Sequence, residues 1–112
     1  MDVALRALAE PNRRRILGAL LDREVPAGEI GADLPISRPA VSQHLAVLRA
    51  AGLIEERRAG TRRLYRARAE GISELRISLD SFWEGGLARL RDVAEAEAAN
   101  VAAAQGDGED DR

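Results

Sequence analysis

The chain has 112 residues, the size of one ordinary domain, and only three aromatic residues, so its core must be built from Leu, Ile, Val and Ala. It has no cysteine and one histidine, His44, which excludes disulfides, thiolate metal sites, a cysteine nucleophile and any site that needs two histidines within one chain. All 17 basic residues are arginine, which excludes lysine chemistry and supplies guanidinium groups suited to phosphate and guanine.

The net charge of −2 is unevenly distributed along the chain. Residues 1–70 contain 13 Arg and 9 acidic residues, whereas residues 71–112 contain 4 Arg and 10 acidic residues. Within residues 38–68, 8 Arg are accompanied by Glu55 and Glu56 alone. This distribution indicates a basic binding face joined to an acidic scaffold, with ordinary solvated helix faces as the alternative.

The sequence has no stretch of the length and apolarity of a signal peptide or a membrane span. We therefore expect a cytoplasmic protein that does not associate with membranes.

The first third of the chain predicts three short helices. Apolar residues at helical spacing indicate a helix over 2–9, and Pro11, at a favoured first position, begins a second helix over about 11–22. A third short helix is predicted over about 27–34. The apolar stripe of the second helix consists of Ile16, Leu17, Leu20 and Leu21.

The fourth helix has the pattern of a DNA-recognition helix. Ser37 is a favourable N-cap, the helical run extends from Arg38 to Ala51, and Gly52 supplies a left-handed stop. With successive residues about 100° apart, polar residues fall opposite the core face, in the layout of a helix-turn-helix motif. The core face consists of Val41, Leu45 and Leu48.

The polar face of this helix divides by chemistry. Ser42 and Gln43 suit base edges in the major groove, whereas Arg38 and the capped helix start suit phosphate; a merely solvated surface is the alternative. His44 lies at the rim of the core face, so a hydrogen-bonded structural histidine and a DNA contact both remain open. The residues predicted to contact DNA are Ser37, Arg38, Pro39, Ser42, Gln43, His44 and Arg49.

A β-hairpin is predicted next, because residues 53–58 and 63–68 are compatible with strands and a glycine-containing loop separates them. Arginines cluster at its tip, where they suit a narrow minor groove, although a solvated hairpin is the alternative. The wing residues predicted to bind DNA are Arg57, Arg58, Thr61, Arg62 and Arg63.

Residues 70–104 predict one long helix. Its apolar residues recur by three and four on either side of Gly85-Gly86, and this stripe needs a partner, for which a second copy of the chain is the simplest choice. A ligand pocket beside Phe82 and Trp83 is the alternative. The predicted dimer interface, which includes the first helix, consists of Val3, Ala7, Leu75, Leu79, Phe82, Trp83, Leu87 and Leu90.

Together these elements predict a mainly α fold with a small β-hairpin. A winged helix-turn-helix core is expected over 1–69, a dimerisation helix over 70–104 and a disordered acidic tail over 105–112.

Three segments resemble the arsenical-resistance-repressor (ArsR/SmtB) family of bacterial winged-helix regulators. They are ALAEPNRRRILGALL at 7–21, SRPAVSQHLAVLRAAGLIEERRAGTRRLYR at 37–66 and SFWEGGL at 81–87. The resemblance implies a homodimer, joined through its first and last helices, that represses transcription from an imperfect inverted repeat in double-stranded DNA.

The chain departs from the metal-sensing members of that family. Those members resemble one another in a cysteine motif at the recognition unit, or in Asp/His and His/Glu pairs on the last helix. Here the recognition unit has no cysteine, and the last helix offers Asp80, Glu84 and Asp92 with no histidine, so a hard-cation site from those carboxylates is the alternative. The resemblance is therefore to a branch that does not sense transition metals, with no cofactor expected and no effector assigned.

A dimeric, sequence-specific DNA-binding repressor is the leading function predicted from the sequence. The alternative is a winged-helix module that binds other proteins through its long C-terminal helix. The arginines of residues 38–68 favour DNA, because a module that binds only protein has no need of them. No nucleophile–base pair or phosphate loop appears in the sequence, so no enzyme activity is expected.

Overall fold

The computed structural model describes the backbone of residues 1–110 and the side chains of residues 1–104. Its mainly helical fold with a small antiparallel sheet confirms the predicted class. The chain divides into two compact units, of which the first is Met1–Ile77 and the second begins at Ser78. In chain order the elements are α1 (Asp2–Leu8), α2 (Pro11–Leu20), β1 (Val25–Pro26), a 3₁₀ turn (Ala27–Glu29), α3 (Arg38–Ala50), β2 (Ile54–Ala59), β3 (Arg62–Ala67) and α4 (Ala69–Asp110).

One apolar cluster holds the first unit together. The predicted core face of α3 is buried, and so is the stripe of α2 except for Leu21, which lies just beyond the last residue of that helix and is exposed. Tyr65 of β3 and Leu75 of α4 join the same cluster. The largest fully buried side chains are Ile16, Leu20, Leu48, Leu53 and Ile54.

The helix predicted over about 27–34 is wrong beyond its first turn. The backbone forms only the 3₁₀ turn, because Ile30 is already extended with a ψ of 127°, and Gly31 then adopts a φ of +73°. The preceding dipeptide forms β1, which pairs antiparallel with β3, so the sheet order is β1-β3-β2. Pro26 fits this position because an edge strand does not require every residue to donate a hydrogen bond.

Both ends of α3 are fixed as the sequence predicts. The Ser37 hydroxyl accepts a hydrogen bond from the Ala40 amide at 3.3 Å, which caps the helix start. At the other end Gly52 adopts a φ of +74°, and the Leu53 amide donates to the Leu48 carbonyl at 3.1 Å. This six-residue closure is a Schellman stop, and it turns the chain from α3 into the hairpin.

The hairpin is tight and regular. Ala59 pairs with Arg62, which leaves a two-residue loop, and Gly60 at its first position has a φ of +65°, as a type II′ turn requires. The register then sets one face of the hairpin, with Ile54 and Tyr65 buried, toward the core.

None of the helices in the described residues is both long and apolar enough to cross a membrane. The acidic tail predicted for 105–112 lies outside the residues whose side chains are described, and it stays a prediction.

Candidate nucleic-acid interface

α3 presents an exposed polar face opposite its buried core residues. Ser42, Gln43 and Arg49 are exposed along this face. At the start of the helix, Ser37, Arg38 and Pro39 are exposed as well. These six residues are therefore accessible to an external partner, as base and phosphate contacts require.

His44 is not part of that face. It is half-buried, its Nδ1 accepts a hydrogen bond from Arg13 Nε at 3.2 Å, and its Nε2 lies 3.7 Å from Glu10 Oε2. Both partners belong to the start of α2, where Glu10 is also the N-cap. Of the two alternatives, the hydrogen-bonded structural role is the one observed, and a contact between His44 and DNA stays a prediction.

Strand alternation divides the wing arginines between the two faces of the hairpin. Arg58 pairs with Arg63 in the register, on the same face as Tyr65, whereas Arg57 and Arg62 lie on the other face. Thr61 is exposed at the tip. Among residues 1–104, Arg58 and Arg62 form no salt bridge, so their charges are available to a polyanion.

Arg57 differs from the other wing arginines because an acidic residue already holds it. Its Nε and Nη2 donate to the two oxygens of Glu24 at 2.5 and 2.7 Å, a bidentate pair that ties β2 to the segment before β1. The main partner of the Arg57 guanidinium is therefore within the protein, but 56% of its side chain is exposed, and contact of Arg57 with DNA stays a prediction. No local sequence pattern predicts this pair, because its members are 33 residues apart.

A groove of about 350 Å³ separates the recognition helix from the wing. It brings together groups from both elements, and Arg38 is fixed at one end by donating to the Gly28 carbonyl at 2.6 Å. The polar side chains lining the groove are Arg38, Ser42, Arg49, Glu56, Arg63 and Tyr65.

Glu56 also lines this groove, and no pattern in the sequence singles it out. Its carboxylate accepts hydrogen bonds from Arg49 and from the buried Tyr65 hydroxyl. Burial, and then the hydrogen bond to Glu56, raise the pKa of the Tyr65 hydroxyl, which therefore stays a donor at neutral pH. The available signal was an adjacent acidic pair on a predicted strand, of which alternation turns one member toward the helix.

The ion pair between Glu24 and Arg57 predicts an acid-dependent loss of stability. The hydrogen bonds from Arg57 lower the pKa of Glu24 below its ordinary value of 4.5 in the folded protein. The contribution of Glu24 is therefore complete above that ordinary value and is lost as the pH falls through the lower folded value. In urea unfolding, Glu24→Gln should lower the midpoint at pH 7, and this difference from the wild type should shrink at an acidic pH well below 4.5.

Asp22→Asn is the matched control, because Asp22 is exposed and forms no ion pair within the described residues. It should leave the urea midpoint almost unchanged at both pH values. A Glu24→Gln difference that is the same at pH 7 and in acid would contradict the role of the ionised carboxylate.

The residues predicted to form a dimer interface fall into two groups. Ala7 and Leu75 are buried in the core of the first unit, with 1% and 9% exposure, so their assignment to a surface between subunits is corrected. The other six are exposed: Val3 on α1, and Leu79, Phe82, Trp83, Leu87 and Leu90 on α4.

The carboxylates of α4 that the structure describes do not gather into a metal site. In the part of the chain whose side chains are described, no group of three or more His, Cys, Asp or Glu side chains is arranged to hold a metal ion.

Comparisons with known proteins agree with the geometry of this surface. The family model described as "Helix-turn-helix domain" matches residues 8–57. The chain is 45% identical over 96 residues to the HTH-type transcriptional regulator Rv2034 of Mycobacterium tuberculosis, covering 86% of this chain and 90% of that protein.

Solved structures show the same similarity. The crystal structure of a possible transcriptional regulator for arsenical resistance is 42% identical, with a TM-score of 0.66, and the match covers 74% of this chain and 85% of that one. An ArsR-like transcriptional regulator from Rhodococcus sp. RHA1 is 30% identical, with a TM-score of 0.68, over 85% of this chain and 90% of that one.

The similarity to a transcriptional regulator extends over nine-tenths of that protein's length. This chain also has an exposed recognition helix and an arginine-rich wing. The protein is therefore a DNA-binding transcriptional regulator, and its relatives are regulators rather than enzymes. The chain belongs to the ArsR/SmtB-type family of winged helix-turn-helix transcriptional regulators.

Proposed function

We propose that this regulator is a homodimer that binds an imperfect inverted repeat and represses transcription by covering promoter elements. The observation that carries the proposal is the exposed face of α3, with Ser42 and Gln43 beside a groove and a wing that supply arginines. The side chains on this face suit base edges, and the arginines suit phosphates.

The division of contacts follows from position and chemistry. Gln43 is exposed on the recognition helix, where a side-chain amide can make two hydrogen bonds to an adenine. Arg58 and Arg62 have no acidic partner among residues 1–104 and extend the basic surface toward the wing tip. The DNA-contacting set that we propose is Ser37, Arg38, Pro39, Ser42, Gln43, Arg49, Arg58, Thr61, Arg62 and Arg63.

Dimerisation is supported by the exposed apolar stripe of α4. Phe82, Trp83 and Leu90 are 55%, 62% and 65% exposed in the single chain. An exposed stripe of large apolar side chains is typical of a surface that a partner covers. To bind successive major grooves on one side of the duplex, the proposed dimer needs two recognition helices about 34 Å apart and related by a twofold axis. An inverted repeat mirrors that symmetry.

A mobility-shift titration tests the proposal. The protein should bind DNA from upstream of its own gene more tightly than an unrelated duplex, and the logarithm of its affinity should fall linearly with the logarithm of salt concentration. Failure to bind any duplex at low salt would refute DNA recognition. A run-off transcription assay tests occlusion: protein added before polymerase should reduce transcript, and increased transcript would identify an activator.

Gln43 and Arg62 should affect binding in different ways. Gln43→Ala should cost about 1–3 kcal/mol at one base position and relax discrimination there. Arg62→Ala should weaken binding to all sequences by a similar factor and reduce the salt slope by about 0.9, because a phosphate contact carries no sequence information. Binding of operator and random duplexes, measured over a range of salt, distinguishes the two variants. Equal effects of both variants on both duplexes would contradict this division of roles.

A further inference from the structure

Glu56 is a carboxylate placed among the arginines of the groove. Its side chain is only 13% exposed. Its Oε2 accepts hydrogen bonds from Arg49 Nη1 at 3.0 Å and from the Tyr65 hydroxyl at 3.1 Å, and its Oε1 lies 3.6 Å from Arg63 Nε. One acidic group thus joins the recognition helix to both strands of the wing.

The position of Glu56 is costly for a DNA-binding surface if charge alone is considered, because a carboxylate near phosphates repels them. The neighbouring Glu55 shows the contrast. Strand alternation places Glu55 on the other face of the hairpin, where it pairs with Arg66 at 2.7 Å and is 42% exposed. Of two adjacent acids, one does not line the groove and the other does.

The two arginines held by Glu56 remain accessible. The side chains of Arg49 and Arg63 are 61% and 56% exposed, and each guanidinium has five N–H donors, of which Glu56 engages few. Long arginine side chains lose rotamer freedom when they bind a ligand, and a partner that orders them beforehand reduces that loss. Arg49 lines the helix side of the groove and Arg63 the wing side.

We propose that Glu56 is a positioning residue for operator recognition, which orients Arg49 and Arg63 so that both address one DNA backbone phosphate entering the groove. The inference rests on the proposed function, since it assumes that this face binds DNA. Tyr65, itself 7% exposed, fixes the carboxylate by its hydrogen bond. Orientation of the two arginines matters where the phosphate occupies one fixed place, as in the operator complex. In non-specific complexes, which slide along the duplex, an arginine in any rotamer neutralises a phosphate, as proposed for Arg62, so loss of orientation harms operator binding more than non-specific binding.

Glu56→Gln tests the proposal because simple charge arithmetic predicts the opposite result. The variant keeps the shape of the side chain but removes one negative charge from the surface that faces DNA, which by itself tightens binding to every duplex. If Glu56 positions the arginines, affinity for the operator should instead fall about tenfold, while affinity for a scrambled duplex is unchanged or higher. Fluorescence anisotropy should use the duplex that the wild-type protein selects from a random library, and its scrambled version.

Glu55→Gln is the matched control, because it makes the same charge change one residue away on the other face of the hairpin. It should not lower operator affinity. Operator affinity of Glu56→Gln equal to or above the wild-type value would overturn the proposal, as would an equal shift on both duplexes.

A double-mutant cycle supplies the readout that a purely structural role would not move. Glu56→Gln should have a much smaller effect on operator affinity in an Arg49→Ala background, because that background already lacks an arginine through which Glu56 acts. Additive effects would overturn the proposal. If Glu56→Gln melts at a lower temperature than wild type, Tyr65→Phe replaces it in the cycle, with a smaller change in the same direction. If the wild-type protein does not prefer the selected duplex to its scrambled version, the proposed function itself is refuted. If the wild type has that preference and Glu56→Gln does not change operator affinity, only this inference is refuted.

Discussion

Replacing Gly71 by alanine is expected to destabilise the first unit by about 3 kcal/mol, at the upper end of the usual cost of inserting a methyl group into a packed interior. A Cβ atom at Gly71 would lie 1.9 Å from the Gly52 carbonyl oxygen and 2.9 Å from its carbon, and backbone atoms cannot rotate aside. The start of α4 must therefore move away from the turn that ends α3. A loss of this size should lower the melting temperature by roughly 10–20 °C.

Gly18→Ala is the matched control for Gly71→Ala. Gly18 is an exposed residue of α2, and a Cβ placed there meets no atom within 4 Å. Because alanine is the better helix former, Gly18→Ala should stabilise the protein by about 0.5–1 kcal/mol. Thermal melts followed by circular dichroism compare the two variants. If Gly71→Ala melts at or above the wild-type temperature, the close approach of α4 to Gly52 is not as described.

The contact at Gly71 shows which parts of the fold sequence patterns can predict. α3 was predictable from end to end because its determinants are local: a serine cap, an apolar residue every three or four positions, and a glycine stop at Gly52. Gly71 has no local signature, since a glycine near the start of a long helix looks like any other weak helix former. A glycine is needed at position 71 because the backbone of Gly52, 19 positions away in sequence, lies against it in the folded chain.

The helix predicted between α2 and α3 was wrong for a related reason. Residues 27–34 have a weak helical pattern, but β1, just before them, pairs with β3 some 40 residues later, and the 3₁₀ turn that follows ends at the extended Ile30. The Val25-Pro26 dipeptide that forms β1 is too short to be recognised as a strand from the sequence. Likewise, the first unit extends to Ile77 rather than to residue 69, because Ile72 and Leu75 of α4 pack against its core.

The candidate site was predictable in its residue types and not in its ion pairs. Exposure of Ser42 and Gln43 follows from helix geometry once the core face is known. The partners of the arginines do not follow, because Glu24 reaches Arg57 and Glu56 reaches Arg49 across separate elements. Counting charges over residues 38–68 thus located the basic surface but overstated how much of its charge is free. Within the residues that the structure describes, Arg58 and Arg62 are the wing arginines that have no acidic partner.

Leu79→Glu is expected to convert the proposed dimer into monomers with poor operator affinity. On α4 the side chains of Leu79, Trp83 and Leu90 fall within about 40° of one another, and all three are exposed in the single chain. Burying one leucine is worth about 1.5–3 kcal/mol, and a twofold interface counts each substitution twice. The dimer dissociation constant should therefore rise by at least about a hundredfold. Sedimentation equilibrium measures this change directly.

Two further variants make the dimer prediction decisive. Leu90→Glu changes a residue that is 65% exposed, so it should weaken the dimer without unfolding the chain. Ala88→Glu introduces the same charge on the opposite side of α4, about 180° from Leu79, and should leave the dimer intact. Because an inverted repeat is bound by two linked recognition helices, the two leucine variants should also lose affinity for a full operator but not for a single half-site. Leu79→Glu and Leu90→Glu proteins that sediment as wild-type dimers would show that this stripe is not the interface.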